Sequence, residues 1–178
     1  MKEYIHGGDI YRHPDVLDYS ANINPLGTPP GVIRAAKDSM ERVCHYPDAC
    51  QEKLKQALAE YEQVPAEWLI CGNGAAELIF ALVQAVKPKR ALVLAPTFAE
   101  YAQALEAVGC EVNREILKKE DGFTLQDRIL DRLQKEDLQM VFLCNPNNPT
   151  GILMDPKLLR EIVTLCEKRQ IYLVVDEC

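Results

Sequence analysis

The chain has 178 residues, 48% of them hydrophobic and 26% charged, with a formal net charge of −7. Such a composition excludes a disordered chain. Acidic and basic residues are interspersed with no basic tract, which argues against nucleic acid or an anionic membrane as the main partner. Seven cysteines, at 44, 50, 71, 110, 144, 166 and 178, form no Cys-x-x-Cys pair and match no histidine spacing, a pattern of reduced thiols in a cytoplasmic protein rather than a disulfide framework or a zinc site.

Residues 1–6 lack the apolar core of a signal peptide, and no apolar run approaches the length that spans a bilayer. Residues 1–31 are rich in Gly, Pro, Asp and Asn and show no sustained period, so they read as an extended N-terminal arm preceding a domain at 32–178. Pro30 suits the first position of a helix in which Val32, Ile33, Ala36, Met40 and Val43 recur at helical spacing, ending near Cys44. After the turn His45-Tyr46-Pro47-Asp48, Asp48 is the expected N-cap of a helix that carries Leu54, Leu58 and Tyr61 on one face and is broken by Pro65.

Residues 68–71 then read as the first short strand, and Leu78, Ile79, Leu82, Val83 and Val86 as the inward face of a helix stopped by Pro88. A regular alternation follows. The pattern predicts a strand at 90–95, a helix at 97–108 ended by Gly109, a strand at 111–117 and a helix at 125–134 begun by Thr124 with Asp127 three residues on. It continues with a strand at 140–144, a polar loop, a helix with Asp155 as N-cap and Pro156 in its first turn, and a strand at 171–175. Strands such as Ala91-Leu92-Val93-Leu94 and Tyr172-Leu173-Val174-Val175 are apolar on both faces, so the expected fold class is α/β: a mostly parallel sheet covered by helices on each side.

Three stretches fall at the carboxyl edge of such a sheet, where ligands bind. In Cys71-Gly72-Asn73-Gly74-Ala75-Ala76-Glu77 a strand turns through two glycines into a helix, whose first N–H groups and dipole suit a phosphate. The glycines permit positive φ and close backbone approach, and Ala75 and Ala76 are too small to block an anion; the alternative is a tight turn without a ligand. Asn145-Pro146-Asn147-Asn148-Pro149-Thr150-Gly151 places two X-Pro bonds among side-chain amides, a rigid loop that either holds an amide in one orientation or serves only the fold. Asp176, at the end of an apolar strand, needs a cation or donors, or else caps the next helix.

In that order, with Pro96-Thr97-Phe98-Ala99-Glu100-Tyr101 between the first two, these motifs resemble the large domain of fold-type I pyridoxal-phosphate enzymes of the aminotransferase superfamily. His6-Gly7-Gly8, the run from Tyr19 through Asn22 to Gly27, and His45-Tyr46-Pro47-Asp48 narrow the resemblance to the threonine-phosphate decarboxylases of cobalamin synthesis, with the histidinol-phosphate aminotransferases as near relatives. The stretch between Gly8 and Leu17 is shorter than in that family.

The resemblance implies pyridoxal 5'-phosphate as cofactor, a homodimer at full length and a small phosphorylated amino acid as substrate. It implies that Gly74 and the N–H groups of Ala75 and Ala76 hold the cofactor phosphate, that Tyr46 of the partner subunit reaches the same phosphate, that Phe98 stacks on the pyridine ring and that Asn148 donates to its phenolic oxygen. The resemblance also implies that Asp176 pairs with the ring nitrogen, an attraction on the order of 5 kcal/mol before desolvation at about 3 Å and an effective dielectric of about 20. By the same resemblance His6 and Asn22 would contact the substrate phosphate, against the plainer readings of a solvated terminus and a turn cap.

The family also calls for a lysine that forms a Schiff base with the cofactor, beyond the aspartate strand. None of Lys87, Lys89, Lys118, Lys119, Lys157 or Lys168 sits in the matching motif. The expectation is therefore an N-terminal portion of a longer enzyme, inactive alone, with the strand at 69–71 short of a neighbour and the isolated chain marginal or aggregation-prone. A non-catalytic nucleotide-binding module is the competing class; the chain has no Gly-x-Gly-x-x-Gly after the first strand and no Gly-Lys-Ser/Thr.

Overall fold

The structure, a computed structural model, describes residues 7–177. Contacts divide the chain into a first unit ending at Ile70 and a second beginning at Cys71.

The first unit contains helix α1 (Pro30–Ser39), which tightens into a 3-10 turn at Met40–Arg42, and helix α2 (Glu52–Glu62). Proline stands in the first turn of α1, as its fixed φ and missing N–H allow. The N-cap position of α2 is Gln51, in left-handed conformation, rather than Asp48. Asp48 still performs the capping chemistry from further back, its carboxylate accepting from the N–H groups of Cys50 at 2.9 Å and Glu52 at 3.0 Å. Neither helix has a buried residue.

The expected strand at 68–71 does not form. Ala66–Trp68 is a 3-10 turn, Leu69 leaves it in extended conformation, and Ile70 is 78% exposed. No described strand pairs with this segment, and an extended segment with no ladder is not a strand.

The second unit contains helix α3 (Ala75–Val86), strand β1 (Arg90–Ala95), helix α4 (Ala99–Ala107), strand β2 (Glu111–Ile116), helix α5 (Arg128–Lys135), strand β3 (Met140–Cys144), helix α6 (Pro156–Arg169) and strand β4 (Tyr172–Asp176). The described strands form one parallel sheet in the order β2-β1-β3-β4. Helix α5 begins three residues later than expected: Asp127 stands at the N-cap without a side-chain cap, and Thr124 lies outside the helix. Asp155, by contrast, caps α6 by accepting from the Lys157 N–H at 2.7 Å.

Period-2 alternation splits the sheet's side chains between two cores. Leu92, Leu94, Val141 and Leu143 join Ile129 and Leu133 of α5 and Leu158 and Ile162 of α6. Ala91, Val93, Met140 and Phe142 join Ile79 and Val83 of α3 and Tyr101 and Leu105 of α4. Helices therefore cover both faces of β1 and β3, giving a three-layer α/β/α arrangement. The outer strands are less enclosed: Tyr172 of β4 is exposed, so the expectation of a strand buried on both faces holds for β1 and β3 but not there.

Buried Glu115 ties β2 to α5. Its carboxylate accepts from Arg128 Nε at 2.5 Å and Arg132 Nη1 at 2.9 Å, while those arginines also donate to the carbonyls of Ile116 and Arg114. Burial alone would push this carboxyl up, but hydrogen bonds and charge from the two arginines outweigh it and hold it below the usual range.

Candidate active site

At the carboxyl edge of the second unit's sheet, β1 and β3 run into loops that carry polar motifs, β4 ends on Asp176, and α3 leaves the glycine turn. Only one of the two turn glycines has the expected positive φ. Gly74 lies at φ +83, and a Cβ there would meet nothing within 4 Å. Gly72 is needed for space instead: a Cβ would stand 2.8 Å from a Glu77 carboxylate oxygen and 2.9 Å from Leu78 Cδ2. No side chain caps α3 at Gly74, Ala75 and Ala76 are exposed, and the Glu77 carboxylate reaches back to accept from the Asn73 N–H. The start of the helix thus presents uncapped N–H groups backed by the helix dipole, which suits an anion.

The loop after β3 is fixed by Asn147, which is 3% exposed. Its Oδ1 accepts from Thr97 Oγ1 at 2.9 Å and its Nδ2 donates to the Pro96 carbonyl at 3.1 Å and to Thr150 Oγ1 at 2.9 Å, joining the loops that follow β1 and β3. The Ala95-Pro96, Asn145-Pro146 and Asn148-Pro149 peptides are cis, so both prolines of the amide loop follow cis bonds. Asn148 is half-buried, and its backbone N–H donates to Cys144 Sγ at 3.4 Å.

Asp176 stands opposite Cys144 in the β3–β4 register, and its carbonyl accepts from the Asn145 N–H at 2.8 Å. Its carboxylate Oδ2 accepts from the Tyr101 hydroxyl at 2.6 Å. Tyr101 stacks on Phe142 with ring centroids 4.9 Å apart and meets half-buried Phe98 edge-on at 5.5 Å. Phe98 and Asp176 are thereby both in contact with one buried phenol.

Sequence reading singled out Phe98, Asn148 and Asp176 but missed Asn147, Tyr101 and Cys144 as their supports. The i, i+3 spacing of Phe98 and Tyr101 was the available signal, since it sets the ring at the N-cap of α4 beside the ring in its first turn. Asn22 and Tyr46 belong to the first unit, where both are exposed. His6 lies outside the described residues. Among the described residues, no helix is long and apolar enough to cross a membrane and no group of three metal-ligating side chains is assembled.

The family model for aminotransferase class I and II matches residues 14–178. The chain is 47% identical to the threonine-phosphate decarboxylase of Salmonella typhimurium over 97% of its own length and 49% of that protein's. It is 36% identical to a histidinol-phosphate aminotransferase of Desulfitobacterium hafniense over 92% of its length and 46% of that protein's. Among solved structures, the histidinol-phosphate aminotransferase of Clostridium acetobutylicum superimposes with a TM-score of 0.79 at 26% identity, covering 92% of this chain and 47% of that one. The chain spans about half the length of the relatives it matches.

Proposed function

The chain belongs to the class I and II aminotransferase family, whose enzymes depend on pyridoxal 5'-phosphate, and from that premise we propose that its second unit holds this cofactor within an enzyme that decarboxylates L-threonine O-3-phosphate. The product is 1-amino-2-propanol O-2-phosphate, a building block for cobalamin, formed when CO2 leaves Cα and a proton takes its place. The higher identity to a decarboxylase than to aminotransferases supports this choice.

The observation that carries the cofactor reading is the convergence at one sheet edge of an uncapped helix start, a half-buried aromatic ring, an amide on a fixed loop and a strand-end carboxylate. Each matches one part of a phosphorylated hydroxypyridine. In the proposed assignment the N–H groups of Ala75 and Ala76 take the phosphate beside Gly74, helped by Tyr46 of the partner subunit in a dimer. Phe98 packs on the ring, and Asn148 donates to the phenolic oxygen. Asp176 holds a proton at the ring nitrogen. When bound, the cofactor supplies an electron sink for the electrons released at Cα. His6 and Asn22 take the substrate's phosphate, which sets the choice of substrate.

A second reading, amino-group transfer to or from histidinol phosphate, is favoured by the 36% identical relatives and uses the same cofactor residues. Incubating the enzyme at the full length of its relatives with threonine phosphate separates the two, since decarboxylation releases CO2 and transamination does not.

Cofactor binding is testable on this chain with pyridoxamine 5'-phosphate, which has no aldehyde to condense with surface lysines. Saturable binding, weakened at least about tenfold when the phosphate is removed from the probe, is the expected result. Preference for a nucleotide over this probe contradicts the assignment and favours a binding module of another class.

A further inference from the structure

Tyr101 and Cys144 are 0% and 1% exposed, so neither can touch a ligand at the sheet edge. Both are nonetheless bonded to groups that can. The Tyr101 hydroxyl donates to Asp176 Oδ2 at 2.6 Å, and the Cys144 thiol is among the groups that raise the phenol's pKa. The thiol in turn donates to the Pro146 carbonyl at 3.2 Å, and its sulfur accepts from the Asn148 N–H at 3.4 Å.

Burial, then the bond to Asp176 and the neighbouring Cys144, push the phenol far above its ordinary pKa, so it keeps its proton and remains the donor. Stacking on Phe142 fixes the ring, and the edge contact with Phe98 extends the same support to the aromatic residue proposed to meet the cofactor. The register of β3 and β4 places Cys144 beside Asp176, so the two anchors are adjacent.

We propose that Tyr101 and Cys144 are a buried positioning pair, the phenol aiming the Asp176 carboxylate and the thiol pinning the loop that carries Asn148. The inference rests on the cofactor reading above and deepens it. A merely structural role, in which the two side chains only fill the core, predicts losses that do not depend on what Asp176 and Asn148 are.

Titration of the 178-residue chain with pyridoxamine 5'-phosphate, followed calorimetrically, separates these roles. Tyr101→Phe keeps the stacking and removes one charge-assisted bond, and is expected to weaken binding about tenfold. In an Asp176→Ala background the same change has no further effect beyond about twofold, while in an Asn148→Ala background the tenfold loss persists.

Cys144→Val, close in volume but without donor or acceptor, is expected to weaken binding about fivefold, and Cys144→Ser to restore it. The valine loss disappears in the Asn148→Ala background. Amide fingerprint spectra of the unliganded variants check that each remains folded.

Losses of equal size in every background overturn the proposal, as does a valine variant that binds like the serine one. If the unsubstituted chain binds the probe and Tyr101→Phe binds it equally, the pair fails and the cofactor assignment stands. If the unsubstituted chain does not bind at all, both are overturned.

Discussion

Helices α1 and α3 both carry apolar residues at helical spacing, α3 the more of them, and end differently. In α3 the apolar residues at 79, 82, 83 and 86 lie against Val93 and Phe142 of the sheet, and Ile79 and Val83 are buried. In α1, Val32, Ile33 and Ala36 follow helical spacing, and Val32 and Ile33 remain 56% and 42% exposed. Every buried apolar residue among the described ones lies between Ile79 and Ile171, within the second unit. Apolar periodicity specifies which face of a helix will be covered; it does not supply the cover. The second unit contains a parallel sheet that does.

The sharpest way to break that contrast is to truncate matched apolar residues in the two units. Phe142→Ala, in the fully buried strand β3, is expected to cost about 4 kcal/mol in urea unfolding, and Leu54→Ala in α2 less than about 0.5 kcal/mol. Comparable losses at both positions would mean that the first unit has a core of its own.

A smaller effect is expected at Glu115. Glu115→Gln removes the carboxylate that Arg128 and Arg132 share, leaving Arg132 its pair with Glu136, and should cost about 2 kcal/mol near neutral pH. The folded-state pKa is lowered, so this stability is present above the ordinary value of 4.5 and disappears as pH falls through the lowered value. Urea midpoints of the two proteins should therefore converge in acid; a gap that is constant with pH would contradict the role of charge.

Gly74→Ala comes next. With φ +83 and ψ 165 this residue occupies a backbone region that glycine alone adopts easily, so alanine should cost about 1–2 kcal/mol although its Cβ has open space. The loss should appear in amide exchange at the start of α3 and leave β1 and β3 protected. Uniform loss of protection would show that the turn belongs to the core.

Thiol labelling draws the same contrast without mutation. Cys44 and Cys50 are exposed, whereas Cys110, Cys144 and Cys166 are buried, and burial pushes the Cys166 thiol up to about 11. Mass mapping after brief alkylation at pH 8 should find 44 and 50 modified and 110, 144 and 166 intact until denaturant is added. Early modification of Cys166 would contradict the packing of α6.

Much of the second unit was legible in the residues. The spans of β1 and β3 and the cap of α6 follow from apolar runs and from Asp155-Pro156, all local signals. Most of what escaped was non-local. Whether residues 68–71 form a strand depends on a hydrogen-bonding neighbour, which no local pattern supplies. Thr124 and Asp127 resemble a capping box, yet the chain enters α5 without using either side chain as a cap. At the candidate site, the half-buried ends Phe98, Asn148 and Asp176 carried recognisable motifs. Their supports Tyr101, Cys144 and Asn147 act across 75, 4 and 50 residues of sequence respectively, and only the fold brings the distant pairs together.

The measurement that bears most directly on the cofactor site is an amide chemical-shift map of the 15N-labelled chain titrated with pyridoxamine 5'-phosphate. The expected result is a saturable change at Ala75, Ala76, Phe98, Asn148 and Glu177 at one common affinity, with the amides of α5 and α6 unmoved. Changes at Ala75 and Ala76 without changes near Asp176, or at two different affinities, would mean that the two places do not serve one molecule, and the assignment would be wrong.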